Sequence, residues 1–334
     1  MPRPVAAVEC RAFGPVDALV VAERAREPLT AGQVRIEVAA CGVNFVDALF
    51  VEGRYQIRPP LPFVPGSEVA GRIVEAAPDV DGVAVGERVF ANVGLGGYAS
   101  EVVVATEQVV PLPEALTDGQ AATFVQSYLT AWFALHERAR ITAGETLAVL
   151  GAGSGVGLAA VDVASAAGLA VVAVASSADK RALAERHGAV ASIDGSMAAA
   201  EVKDAIRSFG AEHDGPSGGV HHLYDPVGGE LGETCLRALG EDGQYLVIGF
   251  VAGIPRLPAN QVLLRNRRVV GVDWGAWSGR HPDRNRAILD EVVAGIAAGD
   301  LDPVEPVTYP LADAARALTD LGRRVVAGKV ALVP

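Results

Sequence analysis

The chain is short of cysteine, histidine, aromatic residues and positive charge, and most of these shortages remove a class of protein. Cys10, Cys41 and Cys235 are its three cysteines in 334 residues. They are too few and too scattered for a disulfide framework or a CxxC zinc site, which leaves buried free thiols. The six histidines show no metal spacing. His221 and His222 are adjacent in a strand-like run, so they point to opposite faces and cannot close on one ion. Lys and Arg number 28 against 40 Asp and Glu, a formal charge of -12. That balance disfavours nucleic acid and anionic membranes as partners, since both select a basic face. The one basic run, Arg265, Arg267 and Arg268, reads as a solvated loop or as a contact to ligand phosphates. No apolar run approaches the ~20 residues of a membrane span, and Met1-Pro2-Arg3-Pro4 opens without a signal-peptide core. The expectation is a cytoplasmic protein that handles small molecules.

Apolar residues are plentiful. Half the chain is hydrophobic and only 20% is charged, enough to bury sizeable cores in two domains of ordinary size. The most informative stretch is Leu147-Ala148-Val149-Leu150-Gly151-Ala152-Gly153-Ser154-Gly155-Val156-Gly157 and the alanine-rich run after it. It reads as a buried parallel strand, a glycine turn and a helix packed closely on a sheet. Without side chains, the glycines would let a pyrophosphate reach the backbone N–H groups, and the helix N-terminus adds partial positive charge. A methyltransferase also places glycines here, but it calls for acidic residues where this chain has Val149 and Ser176-Ser177. A purely structural turn is the third possibility.

Before this point the chain breaks into short β-like segments at 5–10, 33–41, 69–76, 88–91, 99–104 and 109–112, separated by Gly and Pro. Helical patterning appears at 44–51 and 118–138. Beyond residue 142 strands and helices alternate: strands at 146–150, 170–175, 221–224 and 244–248, helices at 156–167, 178–187 and 229–239. Such alternation predicts a parallel sheet covered by helices on both faces. An edge strand is expected at 269–274 and a helix at 283–298 leading back to the first domain, while 196–201 reads as merely alanine-rich. No internal repeat stands out.

Taken together, these blocks resemble the medium-chain dehydrogenase/reductases, and among them the zinc-free NADPH:quinone oxidoreductases. The matching segments are Gly42-Val43-Asn44-Phe45-Val46-Asp47, Pro62-Phe63-Val64-Pro65-Gly66-Ser67-Glu68-Val69-Ala70-Gly71, Gly96-Gly97-Tyr98-Ala99 and Tyr128-Leu129-Thr130-Ala131. After the glycine loop come Asp225-Pro226-Val227-Gly228-Gly229, Ile248-Gly249-Phe250 and Gly328-Lys329-Val330. The resemblance implies an α/β chain: a GroES-like, mostly β catalytic domain over 1–122, a doubly wound Rossmann domain over 123–274 and a return to the first domain over 275–334. It also implies a homodimer joined through the Rossmann edge strand. The implied activity is hydride transfer from NADPH to quinones or related electron-poor enones. An enoyl-thioester (enoyl-CoA) reductase is the main alternative, and a non-catalytic NADPH- or RNA-binding protein a more distant one.

Residue roles follow from the same resemblance. Asn44, Ser67 and Gln126 stand where zinc-dependent relatives carry metal ligands, and amide or hydroxyl groups do not supply the thiolate and imidazole such a site needs. No metal is therefore expected. Asn44 and Thr130 are assigned to the nicotinamide, Tyr55 to the pocket mouth, and Asp47 to orienting Asn44 or capping its helix. Glu68 is either an anchor in the pocket or a buried structural carboxylate. Thr130 alternatively bonds back to its own helix, and Tyr55 alternatively packs on Pro59 and Pro60. Trp274 and Trp277 wall the pocket or serve a core or intersubunit role. The cofactor-binding set comprises Gly151, Gly153, Ser154, Gly155, Val156, Gly157, Ser176, Ser177, Lys180, Asp225, Gly249, Phe250 and Lys329. Two departures stand out: Ser154 occupies a position that is usually glycine, and Gly195-Ser196 replaces a Tyr-Arg pair. No acid ends the strand before Ser176, so NADPH is expected over NADH, with Ser176, Ser177 and Lys180 on the 2′-phosphate. Alternatively Lys180 and Arg181 are solvated helix residues.

Overall fold

In the computed structural model, which describes residues 4–334, strands dominate the first third. They are β1 (Val5–Glu9), β2 (Val20–Arg24), β3 (Gln33–Val43), β4 (Glu68–Ala76), β5 (Arg88–Asn92), β6 (Glu101–Ala105) and β7 (Val109–Pro111), with helix α1 (Phe45–Val51) between β3 and β4. Two short helices follow, α2 (Asp118–Ala121) and α3 (Val125–Trp132). Strands and helices then alternate through β8 (Thr146–Leu150), α4 (Gly155–Ala166), β9 (Ala170–Ala175), α5 (Ala178–Arg186), β10 (Ala191–Asp194), α6 (Ala199–Glu212), β11 (Val220–Asp225), α7 (Gly229–Cys235) and β12 (Leu239–Val247). Next are α8 (Ala259–Leu263), β13 (Arg268–Gly271), α9 (Trp274–Arg280) and α10 (Pro282–Ala298). The chain ends with β14 (Val307–Pro310), α11 (Ala314–Gly322) and β15 (Val330–Val333). Met1-Pro2-Arg3, on which part of the signal-peptide reading rests, lies outside the described residues.

The chain divides into two compact units, one formed by Met1–Val125 with Val304–Pro334 and the other by Gln126–Pro303. In the first unit, β15 pairs antiparallel with β3, which brings the C-terminal segment into a sheet ordered β14-β15-β3-β4-β5-β7, with β6 also on β3. Period-two alternation places Val34, Ile36 and Val38 of β3 in the core with Val69, Ile73, Val330 and Leu332. Burying each such side chain contributes on the order of 1.5–3 kcal/mol.

The second unit is a parallel sheet ordered β10-β9-β8-β11-β12-β13. All five residues of β8 are fully buried, as a strand covered on both faces requires. From β8 the chain winds outward to β9 and β10, then returns to β11 on the other side. A crevice therefore opens at the carboxyl ends of β8 and β11, where ligands of such sheets bind.

Several expectations need correction. The helical pattern over 118–138 is not one helix. Thr117 caps α2, and the Thr123 hydroxyl donates back to the Gly119 carbonyl at 2.9 Å, which closes that turn before α3 begins. Beyond Trp132 the chain continues as a π-helical segment, Phe133–Ala139, that ends on left-handed Arg140. The alanine-rich tract at 196–201 opens α6, whose buried Val202, Ile206, Phe209 and Gly210 trace a helical stripe. Strands β2 and β10 were not anticipated at all. The edge strand stops at Gly271, and Trp274 begins a helix capped by Asp273. Arg267 does not belong to a solvated loop: it is 6% exposed and donates to the Leu239, Gln261 and Arg237 carbonyls.

Candidate functional site

Each unit carries a polar feature that packing alone does not require. In the first unit, β3 delivers the chain to Asn44, whose extended backbone starts α1. An N-cap asparagine ordinarily turns its side chain onto the free N–H groups of its own helix. Here Asn44 Nδ2 donates to Glu68 Oε2 at 2.7 Å, and Asn44 Oδ1 accepts from Lys329 Nζ at 2.8 Å. Asp47 reaches back instead, accepting the Asn44 N–H at 2.8 Å and the Tyr98 hydroxyl at 3.0 Å on the same oxygen. A carboxylate on one side and an ammonium on the other fix which end of the Asn44 amide is which.

This cluster lies almost entirely out of water, and its electrostatics follow from that. Burial pushes the Asp47 carboxyl up to about 7, although hydrogen bonds from Asn44 and Tyr98 act in the other direction. Burial also lowers the Lys329 ammonium, while the Glu68 and Asp47 charges work to raise it. Tyr98 is held well above its usual range, first by burial and then by the Asp47 charge, and the Cys41 thiol likewise by burial, Asp47 and Glu68. A thiol so placed is an inert core group. Cys10 and Cys235 are also free and buried.

The second unit offers mainly backbone. Gly151 leaves β8 at φ +63°, a conformation that favours glycine. A Cβ on Gly157 would stand 2.4 Å from the Gly151 carbonyl oxygen, so only glycine lets α4 start against the loop. Ser154 caps α4: its hydroxyl accepts the Gly157 N–H at 3.2 Å and donates to the Gly151 carbonyl at 2.7 Å. The stem of Lys180 lies across Gly153, where a Cβ would meet it at 2.6 Å. Ser177 caps α5 by accepting the Lys180 N–H at 3.4 Å. Ser176 and Ser177 are exposed at the end of β9. Arg181 is not a solvated helix residue, since its Nη1 donates to the Ala175 carbonyl at 3.1 Å and stands 3.3 Å from Asp194 Oδ1. Ser196 donates through its hydroxyl to that same oxygen at 2.6 Å. The glycines, the serines and the Lys180 stem make a cradle with no carboxylate at the end of β9, which fits a phosphorylated dinucleotide.

Other singled-out residues have definite places. Asp225 is buried, with its carboxylate raised by burial; it accepts the Val227 and Gly228 N–H groups and the Tyr245 hydroxyl, and so holds the turn that opens α7. Gly249 and Phe250 follow β12, and the Phe250 ring is half-exposed. Thr130 is half-buried on α3. Tyr55 is half-buried, with its ring tilted on that of Phe50 at 4.7 Å between centroids. Lys329, expected among the cofactor residues, belongs to the first unit beside Asn44. Trp274 is buried and donates to Asn285, while Trp277 packs on Phe133 and His281. His221 contacts Thr146, and His222 contacts Glu145.

Sequence reasoning passed over Tyr98. The signal lay in glycines at positions 66 and 97: a Cβ on Gly66 would stand 2.3 Å from the Tyr98 ring, and one on Gly97 would stand 2.8 Å from Cys41 Sγ. The donor set does not suit zinc. Among the described residues no group of three His, Cys, Asp or Glu could hold a metal ion, and Asn44, at an inferred ligand position, is occupied by an ammonium and a carboxylate.

Comparison with known proteins agrees with this architecture. Residues 30–114 match the alcohol dehydrogenase GroES-like domain and residues 155–293 the zinc-binding dehydrogenase domain, a segment that excludes Asn44, Ser67 and Gln126. The quinone oxidoreductase-like protein 2 homolog of Nematostella vectensis is 34% identical over 330 residues, covering 98% of this chain and 88% of that protein. A probable oxidoreductase from Mycobacterium abscessus is 31% identical with a TM-score of 0.85, each chain covered in full. The quinone oxidoreductase of Escherichia coli, solved in complex with NADPH, is 26% identical with a TM-score of 0.84 over 98% of this chain and 100% of that one. The chain belongs to the medium-chain dehydrogenase/reductase family, in its quinone oxidoreductase-like branch.

Proposed function

We propose that this protein is an NADPH-dependent reductase of quinones or related electron-poor enones that works without a metal. The observation that carries this reading is the cradle of the second unit, in which Lys180 lies across Gly153 near Ser176 and Ser177 and β9 itself leads into serines rather than into a carboxylate that would grip ribose hydroxyls. The relatives' names and the NADPH complex of the Escherichia coli protein support it.

Gly151, Gly153, Ser154, Gly155, Val156 and Gly157 would hold the pyrophosphate, and Ser176, Ser177 and Lys180 the adenosine end. Asp225 keeps the neighbouring turn in shape. Gly249, Phe250 and Thr130 are proposed for the nicotinamide side. When bound, NADPH supplies the hydride. The residues of this chain contribute orientation and exclusion of water, since hydride transfer depends on a held geometry. Asn44 presents an amide whose orientation Glu68 and Lys329 fix, while Asp47, which also accepts the Tyr98 hydroxyl, holds the Asn44 backbone N–H. Tyr55 offers a flat ring for stacking on an aromatic acceptor.

The test is NADPH oxidation measured in parallel with a naphthoquinone and a short enoyl-CoA. The quinone is expected to show the higher kcat/KM, unchanged by chelators. A tenfold preference for the thioester would replace this reading with an enoyl reductase, and activity lost to a chelator and restored by zinc would end the metal-free proposal. We also propose a homodimer. The edge strand β13 exposes Val269, and Val269→Lys should yield monomers in sedimentation.

A further inference from the structure

We propose that Arg207, Arg237, Arg265 and Arg267 form a site for a phosphate group, held as inorganic phosphate or as the phosphomonoester of a small molecule, at the end of the second unit's sheet opposite the cofactor crevice. The site stands independently of the reductase reading.

These arginines are spread over three parts of the sequence, and the fold of the second unit returns them to one place. Arg207 lies on α6, Arg237 between α7 and β12, and Arg265 and Arg267 just before β13. Their guanidinium groups gather at the amino ends of β11, β12 and β13, whereas the glycine loop leaves the carboxyl end of the parallel neighbour β8. Strand β11 has six residues, so the two ends of the sheet are about 20 Å apart. Cofactor phosphates in the crevice therefore do not meet this basic run.

The gathering is close. Arg207 Nη1 and Arg267 Nη2 donate to one acceptor, the Arg237 carbonyl, at 3.2 and 3.5 Å. Arg207 Nη2 also lies 3.9 Å from where a Cβ on Gly218 would stand, and Arg265 Nη1 donates to the adjacent Ser217 carbonyl at 3.1 Å. The backbone bends to allow this: Ser217, Arg265 and Asn266 have φ of +50°, +73° and +53°, where residues other than glycine are uncommon. Arg267 is buried, Arg207 half-buried, and Arg237 and Arg265 exposed. Fixed charge thus lies at the base, with donors open to water above it.

The charge has no counterpart within the described residues, where no carboxylate forms an ion pair with any of the four arginines. Acids are not scarce, since they outnumber bases by 40 to 28, and Arg35, Arg88, Arg181 and Arg284 all pair with them. Glu241 accepts the Ser217 hydroxyl at 3.3 Å instead. Backbone carbonyls satisfy donors without cancelling charge. Burial, and after it the charges of Arg265, Arg207 and Arg237, lower Arg267 to about 10, so it stays protonated at neutral pH among like charges. Four cations so placed repel one another unless an anion joins them. One guanidinium fork occupies both oxygens of a carboxylate, whereas a phosphate brings nearly two charges and three oxygens, enough for several forks.

Calorimetry with inorganic phosphate provides the test, on protein saturated with NADPH so that the glycine loop is filled, at constant ionic strength in chloride. Binding should be saturable and one-to-one, ribose 5-phosphate should compete for the same site, and succinate should not. Whichever of the two phosphates binds more tightly names the source of the group. The exposed pair Arg237→Gln with Arg265→Gln should weaken phosphate about tenfold or more and move the Kd for NADPH by less than about threefold. Melting gives a second readout. Arg237→Gln removes a charge but no hydrogen bond, so it should melt no lower than wild type in chloride and lower than wild type in phosphate. A wild-type protein without saturable phosphate binding would overturn the site, as would a double variant of unchanged phosphate affinity or succinate binding as tight as phosphate. Loss of NADPH affinity in the double variant equal to its loss of phosphate affinity would place these arginines with the cofactor and overturn it too.

Discussion

The two units hold their polar features in opposite ways. In the first unit, side chains at positions 44, 47, 68, 98 and 329 converge from distant parts of the chain into a dry, charged cluster. In the second, seven consecutive residues form a neutral loop whose useful groups are backbone N–H groups and one capping hydroxyl. A loop of that kind is intolerant of added atoms, because glycine marks where backbone must meet backbone. A buried cluster of charges is intolerant of lost partners, because an unpaired charge out of water is costly. The expected outcomes below test this contrast.

The largest effect belongs to the loop. Gly157→Val would force atoms into the Gly151 carbonyl oxygen at 2.4 Å and the Ala152 Cα at 2.9 Å, neither of which is a flexible side-chain end. Overpacking usually costs about 1–3 kcal/mol, and against fixed backbone the upper end applies. Melting should fall by several degrees, with NADPH binding lost in calorimetry. A variant with wild-type melting and affinity would break the claim that this loop is set by close backbone contact.

Next comes the charged cluster, read through pH. Burial raises folded Asp47 to about 7 from an ordinary value of 3.8. Between those pH values the folded state holds a proton that the unfolded state has released, so this group's contribution to stability is complete below about pH 4 and is lost as pH rises through 7. The window spans about three pH units at roughly 1.4 kcal/mol each, a ceiling of a few kcal/mol. Asp47→Asn should remove that part of the dependence while its amide oxygen still accepts from Asn44 and Tyr98. Urea midpoints at pH 5 and pH 8 provide the measurement. Wild type should lose more stability than the variant on going to pH 8, and an identical loss in both would show that Asp47 is ionised throughout.

The same contrast explains what could be read from the sequence. The loop was legible because its whole logic sits in adjacent letters, strand, glycines, helix, and the order of blocks placed it in a two-part chain. The α6 helix was equally present as a stripe at Val202, Ile206, Phe209 and Gly210, but its alanine-rich opening carries no amphipathic signal. The cluster was half legible. Asn44, Asp47 and Glu68 stand in recognisable segments, but nothing local says that Lys329 meets Asn44, because that meeting is made by the antiparallel pairing of β15 with β3 across nearly the whole chain. Tyr98 was hidden for a similar reason: its mark is the absence of side chains at Gly66 and Gly97. Arg267, read as solvated from its basic neighbours, is instead spent on three backbone carbonyls, a demand that only tertiary structure reveals.

Lys180 probes a charged side chain that touches the loop. A hydrogen bond to a charged group contributes roughly 1.5–3 kcal/mol, so Lys180→Ala should weaken NADPH about 10- to 100-fold and leave NADH nearly unchanged. The stem also covers Gly153. Lys180→Met, which keeps the stem, therefore separates the charge from the packing. Equal loss for both dinucleotides in the Met variant would show that the 2′-phosphate end has been misplaced.

Ser154 gives the smallest effect and the finest test of whether the loop is a backbone site. Its hydroxyl accepts from Gly157 and donates to the Gly151 carbonyl, so it ties the two ends of the loop together as well as capping α4. Replacing an N-cap serine by alanine costs about 1 kcal/mol, and replacing it by glycine only a few tenths. The family resemblance implies glycine at this position, which makes the hydroxyl an addition to a loop that works without it. Ser154→Gly should therefore melt within about a degree or two of wild type and bind NADPH with nearly the same affinity. Ser154→Ala should lose a few degrees, because alanine adds nothing to the cap. If the glycine variant instead lost NADPH affinity tenfold while melting normally, the serine hydroxyl itself would be a ligand group, and the division between a loop of backbone donors and a cluster of side chains would no longer hold.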